Sequence, residues 1–228
     1  MKKKIGVVVA IEVDSVLARY GAPAELRQEG GYTVRTYRNG DVELIVMDSG
    51  AGEISAATAT QVLISEYGVD MVLNFGVVGA LTGEMAAAEL CVVEKVIHYD
   101  FDTTGWLNLP RGCYPGQESA YLSTTPELIE KALAVYPTLK KVTCASADKF
   151  VDRPEDKKAL REAYGADICE MEAAGIVLTC NRCGVPCLLI KAVSDSLTGG
   201  GAEFFTELAR VSAICFDVLD QIIQKTDW

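Results

Sequence analysis

Apolar positions in this chain fall into short continuous runs separated by stretches of helical spacing, and that alternation predicts the architecture. Ile5 to Ile11, Val42 to Met47, Met71 to Phe75, Leu90 to Val96, Val142 to Ser146 and Leu188 to Val193 are β-branched or apolar runs of strand length. Between them lie Ser55 to Tyr67, Pro126 to Val135, Pro154 to Tyr164, Ala173 to Cys183 and Glu203 to Gln224, several with apolar residues every three or four positions, which predict helices. Alternating strands and helices imply a three-layer α/β fold, a central mixed sheet flanked by helices. One stretch escapes the pattern. Tyr99 to Thr125 carries Gly105, Pro110, Gly112, Pro115 and Gly116 and predicts a long irregular loop, a type of segment that is often functional. No repeat, low-complexity tract or linker divides the chain, so a single domain over residues 1–228 is expected.

Composition narrows the function classes. With 228 residues and 50% hydrophobic content the chain can bury one substantial core. A net charge of −11 disfavours broad attraction to phosphate backbones or anionic lipid, so nucleic acid is not an expected partner. Lys2-Lys3-Lys4 followed by Ile5 to Ile11 has the outline of a signal peptide, but the apolar run is short and meets Glu12 and Asp14 at once; a first core strand is the better reading. No other apolar segment reaches the roughly 20 residues needed to span a bilayer, and a cytoplasmic protein with no membrane partner is expected. The eight cysteines are expected to be reduced, because a chain this rich in core needs no disulfide framework. Cys180 and Cys183 have the CxxC spacing and Cys187 follows, yet no second pair exists and the one histidine, His98, is remote. No metal site is expected; small apolar residues at a helix end explain these cysteines.

Two carboxylates carry the chemistry. In the run Cys169-Glu170-Met171-Glu172-Ala173-Ala174-Gly175, a strand ending at Met171 and a helix opening at Ala173 place Glu172 at the positive end of the helix dipole. There its ionised form is favoured, and an ionised acceptor suits a sugar diol. Asp195 closes the apolar stretch Leu188 to Val193, at the strand end where open α/β sheets bind ligands. Flanked by apolar residues, it is a candidate general acid for a departing base. Glu12 with Asp14 ends the first strand, either as a ligand-facing pair or as a solvated helix start. The glycine turns Ser49-Gly50-Ala51-Gly52 and Gly76-Val77-Val78-Gly79 let backbone approach a ligand closely. Neither is a Walker or dinucleotide fingerprint, so ATP and NAD are not expected.

These ordered landmarks, with Gly6-Val7-Val8-Val9-Ala10-Ile11-Glu12, Ser146-Ala147-Asp148-Lys149-Phe150-Val151 and Ser194-Asp195, resemble the purine nucleoside phosphorylase superfamily nearly end to end. Within it they look most like the methylthioadenosine/S-adenosylhomocysteine nucleosidases. The resemblance implies an adenosine-type nucleoside hydrolase without cofactor, in which Asp195 protonates the purine and Glu172 binds the ribose. Met171 would lie under the ribose, Phe150 and Val151 would sandwich the base, Phe204 or Phe205 would line the pocket of the 5′-substituent, and Ala51, Gly76 and Val77 would form the floor. Ile11 and Ser194 belong to the matching segments. A homodimer whose Tyr99 to Thr125 region reaches the neighbouring site is implied on the same ground. The resemblance also puts Asp14, rather than Glu12, at the family glutamate that polarises water, Lys191 at a family arginine and Val77 at a family serine. These three departures concentrate on the nucleophile side, with Glu12 and Lys191 as helpers in positioning water. Two other readings stay open: a phosphorylase with the same base chemistry, and a catalytically silent nucleoside-binding protein.

Overall fold

The computed structural model describes residues 2–228, in which ten strands build one mixed sheet with six helices around it. The chain runs β1 (Lys3–Val9), α1 (Val13–Tyr20), β2 (Glu25–Glu29), β3 (Tyr32–Asn39), β4 (Val42–Asp48), α2 (Glu53–Ser65), β5 (Met71–Ala80), β6 (Leu90–His98), β7 (Tyr121–Ser123) and α3 (Pro126–Val135). It continues through β8 (Lys140–Ser146), α4 (Pro154–Tyr164), β9 (Ile168–Glu170), α5 (Ala173–Cys183), β10 (Cys187–Asp195) and α6 (Gly201–Lys225). All six predicted strands and all five predicted helices are present. Four short or polar strands, β2, β3, β7 and β9, and the two-turn helix α1 were not predicted.

The strand order is β10-β6-β8-β9-β5-β1-β4-β3-β2, and β10 also pairs with β5, so five of the strands close on themselves. The centre is parallel: β1 with β4 and β5, β10 with β5, β6 with β8. Strands buried on both faces must be apolar along their whole length, as β5 and β10 are. Successive side chains go to opposite faces. Val8 joins the core under α2 and α5 with Ile45 and Met47, whereas Val7 and Val9 join that under α1, α3 and α6 with Leu44 and Val46. This alternation makes the three layers. All eight cysteines are free thiols, seven of them buried. No helix among the described residues is long and apolar enough to cross a membrane.

Candidate active site

β1, β5 and β10 run in the same direction, so their carboxyl ends lie side by side, and the turn after β1 and the end of β10 deliver Glu12 and Asp195 there. The register sets Asp195 opposite Gly79 of β5. A Cβ at Gly79 would stand 3.0 Å from Asp195 Oδ2, and one at Gly76 would stand 2.8 Å from Glu12 Oε1. The two glycines thus make room for the two acids. Above them opens a cavity of about 740 Å³, including solvent at its mouth. Ile11, Glu12, Ala51, Val77, Phe150, Val151, Met171, Glu172, Ser194, Asp195 and Phe204 all line it. So do Ala10, Val78, Gly79, Lys149, Cys169 and Glu170.

Glu12 is 6% exposed, and its carboxyl is held by backbone, accepting from the N–H of Ile11 at 3.0 Å and of Val77 at 3.1 Å. The valine at position 77 has no hydroxyl, but its main chain supplies a donor that any residue would offer. Asp14 corrects an expectation: it sits in the first turn of α1, exposed to solvent and outside the cavity. Because α1 starts only four residues after β1 ends, a shift of two positions turns a side chain from the cavity to water.

Glu172 differs from expectation in two respects. It occupies the residue before α5 but caps nothing; its Oε1 instead accepts from the Gly52 N–H at 2.9 Å, across the sheet end. Gly52 can present that N–H because its φ of 106° and that of Gly50, 73°, turn the backbone in the left-handed region. The α5 N-terminus is capped by Glu170, the last residue of β9, which accepts from Glu172 N at 3.1 Å and Ala173 N at 2.9 Å. The helix dipole alone predicts a readily ionised Glu172, whereas burial, reinforced by the Glu170 carboxylate, pushes it up to about 7. Desolvation outweighs the dipole.

Lys191 also lies elsewhere than expected. It is 2% exposed, its Nζ lies 3.2 Å from Glu170 Oε2, and neither it nor Gly76, expected on the floor, is among the residues that line the cavity. Burial works against its charge, but the Glu170 and Glu172 carboxylates outweigh this and raise it. Its side chain bonds to Glu170. Glu53, at the start of α2, joins the same network: its carboxyl accepts from Ser146 Oγ and from the Gly175 N–H. Burial, and then Glu170, pushes Glu53 up to about 8.

Asp195 is 2% exposed, with Oδ1 accepting from Ser194 Oγ at 2.9 Å and Oδ2 paired with Lys157 Nζ at 2.5 Å. Apolar walls complete the cavity. Phe150 and Phe204 meet edge to face with centroids 5.2 Å apart, and Phe205, at 77% exposure, points away. His98 lies outside, bonded to Tyr114 at 2.6 Å and Asp100 at 2.8 Å. No cluster of three or more His, Cys, Asp or Glu fit for a metal occurs among the described residues.

A family model for the phosphorylase superfamily matches residues 4–224. The chain belongs to the phosphorylase superfamily. The superfamily match takes in every carboxylate that faces the cavity. Among relatives, the chain is 33% identical over 187 residues to an aminodeoxyfutalosine nucleosidase of Campylobacter jejuni, covering 80% of each chain. It is 31% identical over 200 residues to a 5′-methylthioadenosine/S-adenosylhomocysteine nucleosidase of Hydrogenovibrio crunogenus, covering 84% of this chain and 85% of that one. A solved nucleosidase of the latter kind from Helicobacter pylori superposes with a TM-score of 0.93 at 26% identity, covering 98% of both chains. Lys157 and Glu53 were missed by the sequence reading because Lys157 lies in a polar stretch of α4 and Glu53 reads as an ordinary acidic first turn of α2, with no local mark that the fold turns either inward.

Proposed function

We propose that this superfamily member hydrolyses the N-glycosidic bond of a 5′-substituted adenosine, 5′-methylthioadenosine or S-adenosylhomocysteine, and releases adenine. The observation that carries the reading is that Glu12, Glu172 and Asp195, from three separate elements, line one cavity beside an aromatic pair. As the C1′–N9 bond breaks, the sugar becomes cationic and the purine anionic, so useful groups relieve both charges. Asp195 donates a proton to the purine ring nitrogen and accepts from the exocyclic amine, which selects a 6-aminopurine. Glu12 takes the proton of the water that bonds to C1′, and Glu172 accepts from the ribose hydroxyls. Behind them Gly76 leaves room for the Glu12 carboxyl, and Lys191 pairs with Glu170. The apolar Ile11, Phe150 and Phe204 favour a thioether at the 5′ position. The one cation on the wall is Lys149, paired with Asp156 at 3.2 Å, which gives a carboxylate on the 5′-substituent little to bind.

The work is done by one domain over residues 1–228 in the cytoplasm, with no metal or organic cofactor, and a place in methionine salvage follows from the substrate. The irregular region after β6, in which Trp106 is 80% exposed, supports a homodimer. Sedimentation velocity is expected to give twice the 24.5 kDa chain mass.

The test is to incubate pure protein with methylthioadenosine, with and without phosphate, and to follow free adenine. Equal release in both is expected, and Asp195→Asn is expected to slow it by about 10²–10⁴-fold. Release only with phosphate would establish the phosphorylase reading, although no arginine lines the cavity. Binding without release would establish a silent nucleoside-binding protein.

A further inference from the structure

Lys157 takes no part in the reaction as described, yet its ammonium lies against the acid that does. It comes from the polar helix α4, Pro154-Glu155-Asp156-Lys157-Lys158, where neighbouring charges face water, but its own side chain is fully buried. Its Nζ donates to Asp195 Oδ2 at 2.5 Å, to the Ser196 carbonyl at 2.7 Å and to the Gly199 carbonyl at 3.0 Å. An ammonium has three N–H donors, and here each has one acceptor. A neutral amine would leave one buried oxygen unmet and the Asp195 charge uncompensated, so the geometry is that of an ammonium–carboxylate pair.

The other groups around Asp195 do not replace that charge. From β10 itself comes the Ser194 hydroxyl, which is neutral. From β9 comes the Cys169 thiol, pushed up to about 12 by burial and then by Asp195, and therefore uncharged. β5 presents only Gly79. On the following loop and α6, Glu203 is taken up by Ser196, whose N–H and hydroxyl both donate to it at 2.9 Å, and Asp152 accepts from the Gly201 N–H at 2.7 Å. At the start of α4, Arg153 and Asp156 pair with each other, and towards its end Arg161 pairs with Asp167 beyond it. Among the described residues Lys157 is the one cation bonded to Asp195.

We propose that Lys157 is a positioning residue for Asp195, holding the carboxyl in its ionised form and aimed at the cavity until a purine enters, and tying that state to the Ser196–Gly199 loop. The inference rests on the reading of Asp195 as the acid that protonates the base. An acid must hold its proton to deliver it, and an adjacent ammonium opposes this. The proton used in catalysis is then acquired together with the nucleoside, whose ring nitrogen and amine give the carboxyl a shared hydrogen-bonding partner.

The test compares pH profiles of kcat/KM, whose alkaline limb reports loss of the proton from the essential acid in the free protein. In Lys157→Met and Lys157→Gln the limb is expected to move to higher pH by about one unit, because the opposing charge is gone. The plateau rate is expected to fall on the order of 10-fold as the carboxyl loses its aim. Lys157→Arg, which keeps the charge, is expected to keep the limb in place. A purely structural lysine would lower stability or rate and leave the limb unmoved in both neutral variants, and that result overturns the inference.

Wild-type protein supplies a check that needs no variant to fold. Calorimetry in buffers of different ionisation enthalpy, with a carbocyclic 5′-methylthioadenosine analogue that keeps the ring nitrogen, is expected to show uptake of about one proton per site at mildly alkaline pH. Absence of uptake also overturns the inference. Asp195→Asn in the same adenine-release assay separates the two readings. If it retains full rate, protonation by Asp195 is wrong; if it is inactive while the neutral Lys157 variants keep their limb, only the role of Lys157 falls.

Discussion

Two acids stand two positions apart after the first strand, and only their surroundings distinguish them. Glu12 is buried against two backbone N–H donors and faces the cavity, whereas Asp14 is exposed on the first turn of α1. A carboxylate held in this way is fixed in place before substrate arrives, and fixed geometry is what a base acting on water requires. Glu12→Gln keeps the shape and one acceptor oxygen but cannot take up a proton. It is expected to lower kcat for adenine release by at least about 10²-fold. Asp14→Asn is expected to stay within about twofold of wild type, as most solvent-exposed substitutions do. Steady-state kinetics on the two variants checks this, and the reverse ranking would return the water to Asp14. The conflict between resemblance and structure here has a simple physical origin. Matching motifs fix a strand and its glycines but not the phase of the short turn that follows.

At the scale of elements, the parts with strong apolar periodicity were legible and the parts held by tertiary contacts were not. β5 and β10 declare themselves because burial on both faces excludes polar residues, and their carboxyl ends locate the cavity and Asp195. β2, Glu25–Glu29, is a mostly exposed edge strand whose composition reads as a loop, and β7 and β9 have three residues each, too few for any period to show. The β9–α5 junction shows the same division. The Glu-Met-Glu run lies on the cavity wall, but only the fold could assign the cap to Glu170 and leave Glu172 to the cavity. Gly175 supports that junction. A Cβ there would overlap the Glu53 carbonyl and lie 3.2 Å from Ala57 N, so α2 and α5 touch backbone to backbone. Gly175→Ala gains helix propensity of up to about 1 kcal/mol but must push the two helices apart. Overpacking costs about 1–3 kcal/mol, so a net loss of stability is expected by urea denaturation. Since the start of α2 also carries the Gly52 N–H that orients Glu172, a weaker KM for nucleoside should accompany it. Unchanged stability and KM would show that the contact relaxes freely.

Across the whole molecule the same network becomes a question of charge. A chain already at −11 packs Glu12, Glu170 and Glu172 around the ammonium of Lys191, with Glu53 against Glu170. Such an excess of buried acid is tolerated only if part of it holds protons, and the two raised groups are Glu53, at about 8, and Glu172, at about 7. The sign follows from linkage. Both sit near 4.5 in the unfolded chain, so between that value and the raised ones the folded protein binds more protons than the unfolded one. The stability they lend is complete below about pH 4.5 and is lost as pH climbs through 7 and then 8. General repulsion at high net charge adds a slope that any variant shares. Glu53→Gln isolates the upper step: the amide keeps the shape of the protonated acid, still accepts from Gly175, and has no proton to lose. Thermal midpoints measured without ligand should fall more steeply from about pH 6 to about pH 9 in wild type than in Glu53→Gln, and the two should lie close together at the acid end. Parallel slopes would mean that Glu53 is ionised in the folded protein at neutral pH.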